Sequence, residues 1–451
     1  MAEKGLIGTW GHDWPDVCSP GPKIDYLNTC LNWWDYHLKD PSQAKEDVSL
    51  WPQLRMYMQN SYVPAAAVEE IPGVWLEVPE WRLMYSQFEK LMNKSDKFPY
   101  DRKILAGENF LKFWFQGTDT LVNKLPKQKN EDLEVELKPD PLQGEYAGEW
   151  LSWGFADLPD DQSDVDKRCQ CWLTSELKEE VRIAGFTVVF LHLEAKFEGK
   201  YGVAIRLCDV RPDGTSVRVT YGIKNLAQWR GQNKPEKCFP ANRVIKVPVV
   251  LNGTGYCIPA GHRMLISVQP SYFPIMFPMP ETEGLIFYPE KSYIYMQTIG
   301  RFYMTQNFQF QSTTSEPEAS LVPMPLSVIR SPKILQGEFT ATEKNGKKIW
   351  FKETLFDKGK QEFINQQYNH AEKAIERFET NEKVDWGITS ANHQMHIHYP
   401  DKNIEAEVKT ESSLEGDKKE FILKNELWVS INKEIFFHKK YPDTRIPRDY
   451  V

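Results

Sequence analysis

Apolar and polar positions are patterned most clearly over residues 181–222, where three strand-like runs follow one another. The runs from Thr187 to Leu193 and from Tyr201 to Val210 are rich in Val, Ile, Leu, Phe and Tyr, and Gly, Glu, Lys and Pro bound them. Half-buried strands have this composition. Between the second and third runs, Arg211-Pro212-Asp213-Gly214 sets a φ-locked proline before Asp-Gly, the pair suited to the positive φ of a tight turn. Residues 203–210 and 215–221 are therefore predicted to pair antiparallel. A sheet with one wet face must bury the other, so a second layer is expected against it.

The strand pattern extends in both directions. Upstream, extended segments are predicted at 53–59, 74–78 and 110–115, with weak helical character around 85–91. Residues 119–146 are polar and read as a surface loop with an edge strand. Downstream, strands are predicted at 244–251 and 264–268, on either side of a turn at Pro259-Ala260-Gly261-His262-Arg263. The aromatic-rich runs LIFY, SYIYMQTI and RFYMTQNFQF follow over 285–313, and 314–334 reads as a connection. Beyond it, one helix is expected near 360–379 from the spacing of Phe363, Ile364, Tyr368, Ala371, Ile375 and Phe378. Antiparallel strands are predicted at 386–388, 393–399, 403–412, 419–430 and 434–438, then a polar tail over 445–449. Regular strand spacing with few helices implies a sandwich.

The start of the chain differs. Gly5-Leu6-Ile7-Gly8-Thr9-Trp10 reads as a short strand, followed by a loop that carries His12, Pro15, Pro20 and Pro22. A helix is predicted over 24–39, with Leu27, Leu31, Trp34 and Leu38 in one apolar stripe. Strand, loop and amphipathic helix make the terminal unit of an α/β sheet, yet no earlier strands accompany this one. The strand and helix are thus expected to stand isolated, with the helix's apolar side exposed as an aggregation liability. Trp33, Trp34 and Trp51 are expected to pack the helix on the sandwich.

Composition narrows the function classes. The 451 residues are 41% hydrophobic, 26% charged and 13% aromatic with 15 Trp, ordinary for a globular chain but rich in rings. A net charge of −8 with no basic run longer than a pair argues against nucleic acid and against an anionic membrane as partners. No apolar stretch reaches the ~18–20 residues of a membrane helix, no signal-peptide core is visible, and the chain is expected to be cytoplasmic. Seven scattered Cys make no disulfide framework, and Cys169-x-Cys171 is too close for the usual zinc pair. His393-x-x-His396-x-His398 has metal-like spacing, but no acidic or Cys ligand in that strand completes it, so a solvated strand face is expected. His262 is expected to anchor its turn by hydrogen bonds. No metal and no cofactor is expected.

A set of short motifs occurs in one order: Gly8-Thr9-Trp10-Gly11-His12, Asp35-Tyr36-His37-Leu38-Lys39, Asp161-Gln162, Leu173-Thr174-Ser175-Glu176-Leu177 and Val181-Arg182-Ile183-Ala184-Gly185. Arg206-Leu207-Cys208-Asp209-Val210-Arg211-Pro212-Asp213-Gly214, Pro259-Ala260-Gly261-His262-Arg263, Tyr272-Phe273-Pro274 and Ile446-Pro447-Arg448-Asp449 continue it. In this register the chain resembles the Xaa-Pro dipeptidyl-peptidase and cocaine-esterase (CocE/NonD) family of serine hydrolases. The resemblance runs from residue 5 to the C-terminus and is weakest over 80–145 and 335–380. It implies a mainly β chain: a jelly-roll, galactose-binding-like β-sandwich over 47–451, preceded over 1–46 by the last strand, His loop and helix of an α/β-hydrolase domain.

The family's catalytic His follows a Gly-Pro-Trp-x-His strand end, which falls on His12, with Thr9 where Pro is usual. The resemblance makes His12 the general base, taking a proton from an attacking Ser hydroxyl and passing it to the leaving group. The nucleophile's Gly-x-Ser-x-Gly is absent from this chain, and the resemblance places it and its Asp upstream of the His. The expectation is the C-terminal portion of a hydrolase that cleaves X-Pro dipeptides, esters or amides, inactive alone, with a small peptide, ester or amide as substrate. A missing N-terminal half or a homo-oligomer would be its protein partner. The alternative is a non-catalytic β-sandwich that binds sugar, peptide or protein.

Overall fold

The computed structural model describes residues 3–40, 45–78, 110–154, 156–230, 235–299, 327–328, 333–344, 346–364 and 367–449. Strands dominate, as expected, and they divide between two sheets. The first begins with β1 Gly5–Ile7, β2 Leu54–Asn60, β3 Gly73–Val78, β4 Phe110–Gln116 and β5 Thr120–Val122. It continues with β6 Val135–Leu137, β7 Gln170–Thr174, β8 Val181–Ala195, β9 Gly202–Val210 and β10 Ser216–Asn225. It ends with β11 Ile245–Val250, β12 Thr254–Ile258, β13 Arg263–Gln269, β14 Leu285–Phe287 and β15 Tyr293–Thr298. Among the described residues two α-helices accompany it, α1 Tyr26–Leu38 and α2 Ser163–Asp166.

Around the first sheet the strand order is β1-β2-β12-β8-β15-β4-β5-β7-β13-β9-β10. The predicted hairpin is present: β9 and β10 pair antiparallel from Ser216↔Val210 to Asn225↔Gly202. Because side chains alternate along a strand, Val189, Leu191 and Leu193 of β8 point one way, as do Val203, Ile205 and Leu207 of β9. With Ile266 and Val268 of β13 they build one core in the sandwich-like manner, the two strand groups facing each other. Trp172 sits at its centre with no exposed surface, edge-to-face with Phe115 at 5.2 Å and with Phe287 at 5.0 Å.

β8 organises this sheet. One of its edges pairs with β12 and then β11, and the other with β15 and then β14. The change of partner needs a break in regular pairing, which Gly185 supplies at φ +111. There Phe186 N–H donates to Gln297 Oε1 at 3.0 Å, and a Cβ on Gly185 would lie 2.2 Å from that oxygen.

Four expectations are corrected. β1 is not isolated: it pairs parallel with β2, Gly5 against Leu54 and Ile7 against Met56, because a lone strand would leave its backbone groups unpaired. The single sandwich expected over 47–451 does not continue to the end, since among the described residues the strands from 327 onward pair with one another as a second sheet. That sheet comprises β16 Ser327–Val328, β17 Lys333–Gln336, β18 Thr340–Lys344, β19 Lys347–Phe363 and β20 Tyr368–Asn381. β21 Gly387–Tyr399, β22 Ile404–Gly416, β23 Glu420–Ile431, β24 Glu434–Lys440 and β25 Thr444–Pro447 complete it.

The helix expected near 360–379 is instead the end of β19 and most of β20, which pair antiparallel from Ile349↔Asn381 to Phe363↔Tyr368 with one register shift between Asp357 and Gly359. Phe363 and Tyr368 stack at 4.6 Å beside the turn, and Lys358–Glu372 (2.7 Å) and Arg377–Glu353 (2.9 Å) cross between the strands. Apolar residues three and four apart mimicked a helical stripe, but long non-local pairing decides the conformation. The polar tail is also partly structural: β25 pairs with β23, and Arg448 is 1% exposed, its guanidinium donating to Asp417 O and Pro278 O. The runs expected at 85–91 and over 301–310 lie outside the described residues. Leu142 and Phe273 from the first sheet's loops meet Phe339, Phe378 and Val384 where the two sheets touch.

Two measurements test this packing. Arg206 on β9 has no exposed surface and is paired to Asp166 of α2 at 2.8 Å and to Gln162 Oε1 at 3.0 Å. Arg206→Ala strands a buried carboxylate and is expected to cost about 3–5 kcal/mol in urea unfolding, with Asp166→Leu added on top recovering most of it. A loss under about 1 kcal/mol would rule out that ion pair as a structural element. His192 on β8 is the second case: burial, reinforced by Lys246 and Lys291, lowers its imidazole from 6.5 to about 4. Between those values the unfolded chain binds a proton that the native chain refuses, so this group removes stability as pH falls through the window. His192→Gln is expected to shrink the drop in urea midpoint between pH 7 and pH 4.5; an unchanged drop contradicts the assignment.

Candidate functional site

The loop after β1 is fixed by its own side chains. Thr9 Oγ1 donates to Gly21 O at 2.6 Å, and Trp10 Nε1 donates to Pro22 O at 2.8 Å, so the chain folds back on itself across its three prolines. Trp10 then packs 6.0 Å from Trp75 of β3, in a small cluster with Ile24 and Tyr57. His12 follows, with its backbone N–H donating to Ser152 O at 2.7 Å and its ring 5.0 Å from the ring of Trp153.

The partner loop is equally constrained. Asp157 is 1% exposed, and its carboxylate accepts from the N–H of Trp153 at 2.6 Å and of Gly154 at 2.8 Å, as a charged acceptor inside a tight turn does. Gly154 adopts φ +87, and a Cβ there would lie 1.7 Å from Ser19 O. Only glycine meets both demands. The two loops therefore interlock through backbone contact, holding the His12 backbone rigidly while its imidazole stays exposed. Among the described residues no carboxylate or hydroxyl is hydrogen-bonded to that ring.

Helix α1 begins beside this loop, where Trp14 stacks on Tyr26 at 5.9 Å. Asp25 caps it, accepting from Asn28 N–H at 3.2 Å, and Lys39 pairs with Asp35 at 2.6 Å near its end. One face turns inward: Trp33 packs 6.4 Å from Trp51, and a cavity of about 310 Å³ lies between Tyr26, Cys30, Trp33, Trp51 and Arg55. The predicted stripe faces out, with Leu27 62%, Leu31 46%, Trp34 55% and Leu38 74% exposed. Trp33 and Trp51 thus pack as expected, and Trp34 does not.

His262 anchors its turn as predicted. Its Nδ1 lies 2.8 Å from Oδ1 of Asp209, which has no exposed surface, and Tyr256 O–H donates to Oδ2 at 2.9 Å. Burial and that carboxylate push the Tyr256 phenol well above its usual range. His393 contacts Glu372 at 2.8 Å and His396 contacts Glu407 at 3.7 Å, each on a neighbouring strand, and no group of three metal-ligating residues converges among the described residues. The seven Cys are free, and burial raises the Cys169 thiol to about 11, against the pull of Arg206. Sequence reading missed the clamp on His12: Ser152, Trp153 and Asp157 lie far from it along the chain, and only the Trp153-Gly154 pair marked a special backbone there.

This chain is similar to several solved structures at low identity. An aminopeptidase from the marine sediment archaeon Thaumarchaeota archaeon is 18% identical over 66% of this chain and 49% of that one, with a TM-score of 0.45. An α-amino acid ester hydrolase is 15% identical over 65% and 48% of the two chains, with a TM-score of 0.43. A CocE/NonD family hydrolase from Staphylococcus aureus is 10% identical over 61% and 44%, with a TM-score of 0.37. The chain thus spans about half the length of each. No curated protein matches it. The family model described as the X-Pro dipeptidyl-peptidase C-terminal non-catalytic domain matches residues 74–314, more than half of the chain, and the chain belongs to that family.

Proposed function

We propose that this chain is the C-terminal portion of a serine hydrolase of the Xaa-Pro dipeptidyl-peptidase and CocE type, acting on X-Pro peptides, esters or amides. In this reading His12 is the general base, and the nucleophilic Ser and its orienting Asp lie outside the given sequence. The observation that carries it is the interlocked pair of loops, which holds the His12 backbone still and leaves its imidazole open to a reacting partner. A base that moves no backbone on docking has little ordering entropy left to lose. The outward stripe of α1 supports the same reading, because a hydrolase core packed beside the His loop would cover Leu27, Leu31, Trp34 and Leu38.

Such a base shuttles one proton: it accepts the Ser hydroxyl's proton as the oxygen attacks the acyl carbon, then returns it to the departing amine or alcohol. A binding module without catalysis is the second reading, favoured by the non-catalytic description of the matching family domain.

The in-frame genomic sequence upstream separates the two: a Gly-x-Ser-x-Gly followed by an Asp is expected there, and its absence overturns the hydrolase reading. The purified chain is expected to turn over neither Ala-Pro-p-nitroanilide nor a p-nitrophenyl ester. The full-length product should cleave one of them and lose about 10³-fold or more in kcat on His12→Ala. Turnover by this chain that survives His12→Ala contradicts the role given to the residue.

A further inference from the structure

A cavity of about 280 Å³ lies where the loop of residues 145–160 meets the second sheet. That is just under the ~300–1,000 Å³ range of drug-sized ligand pockets, so only a small ligand fits. Register fixes which side chains face it. Lys352 and Thr354 alternate onto one face of β19, and Gln336 of β17, paired with Thr354, shares that face. This face turns toward the first sheet's loops: Thr354 Oγ1 donates to Glu149 Oε1 at 3.2 Å, and Phe378, paired with Lys352, packs with Leu142 and Phe273. Lys352 and Gln336 both line the cavity in consequence.

Two donors converge on its inner wall. Lys352 is 2% exposed, and its ammonium donates to Gln336 Oε1 at 3.1 Å. An ammonium can only donate, so this bond commits the amide: Oε1 faces the lysine and Nε2 must look elsewhere. Nε2 is buried and has no hydrogen-bond partner. A buried amide nitrogen left so costs free energy until something accepts from it. The ammonium is short of acceptors too. Among the described residues no carboxylate comes within ion-pair distance of it, and Gln336 is the one acceptor it meets. Burial lowers its pKa, against the more distant pull of Glu149 and Glu145.

Nearer solvent the wall carries the opposite sign. Glu145 and Asp160, both half-buried, and the exposed Glu338 line that part of the cavity. The lining thus presents buried donors on the inside and carboxylates further out.

We propose that this cavity binds a small zwitterion of amino-acid type, its carboxylate taken by Lys352 Nζ and Gln336 Nε2 and its ammonium held toward Glu145, Asp160 and Glu338. The two donors flank one amide, so a single carboxylate can accept from both. A simple anion would meet the outer acids, and a simple cation would leave the inner donors unmatched; a ligand of both signs answers both ends. The proposal is independent of the hydrolase reading, because no bond is made or broken and His12 takes no part.

The test is titration calorimetry on the full chain at pH 7 with glycine and with 4-aminobutyrate. Saturable one-to-one binding of at least one of them is expected. Masking either charge of that ligand, by N-acetylation or by conversion of its carboxylate to an amide, should weaken it about tenfold or more. In Lys352→Met, which keeps the apolar stem, the zwitterion should lose its advantage over the amide. Gln336→Leu, which leaves the lysine in place, should weaken the zwitterion about tenfold. Failure of both zwitterions to bind, a masked form that binds as well as its parent, or undiminished affinity in Gln336→Leu would each overturn the proposal. So would a preference for the zwitterion over its amide that survives in Lys352→Met, whose cooperative urea unfolding confirms that it is folded.

Discussion

Backbone pairing along β8 is the constraint on which the first sheet depends. Every buried N–H and C=O must find a partner. A strand of 15 residues can satisfy that only by taking two neighbours in succession on each edge. Gly185 makes the change of partner possible, since a side chain there would collide with Gln297. Once β8 is committed, alternation sends Val189, Leu191 and Leu193 inward, and the facing β9 residues can close a dry core over them.

The same demand explains the buried polar groups on β9. Arg206 and Asp209 lie on the segment that carries Val203, Ile205 and Leu207, yet both are fully buried. α2 supplies Asp166 to the first, while Tyr256 from β12 and His262 from the turn before β13 approach the second. Each charge is matched by a group remote in sequence, which ties loops to the sheet more firmly than apolar contact alone. The hydrogen-bonded motifs around Asp161, Arg206 and His262 thus have structural work in this fold.

Around His12 the logic is one of interlocking loops. The buried carboxylate of Asp157 accepts from the N–H groups of Trp153 and Gly154, Gly154 packs against Ser19, and Ser152 accepts from the His12 backbone. The outward stripe of α1 and the exposed imidazole therefore sit beside loops fixed to each other by backbone contact.

Local signals were legible in the sequence wherever neighbours along the chain decide the outcome. The β9–β10 hairpin followed from Arg211-Pro212-Asp213-Gly214, α1 from its apolar stripe, and the anchoring role of His262 from its place in a Pro-x-Gly turn. Period-two alternation and turn chemistry are properties of a few adjacent residues, so they survive without a fold. What only the tertiary structure decided is pairing at a distance: β1 against β2, Phe363 against Tyr368 in place of a helix, a second sheet from 327 onward, and Asp157 under His12. Spacing of apolar residues by three or four fits a helix and a long two-faced strand alike, and the choice belongs to whichever remote edge offers its hydrogen bonds.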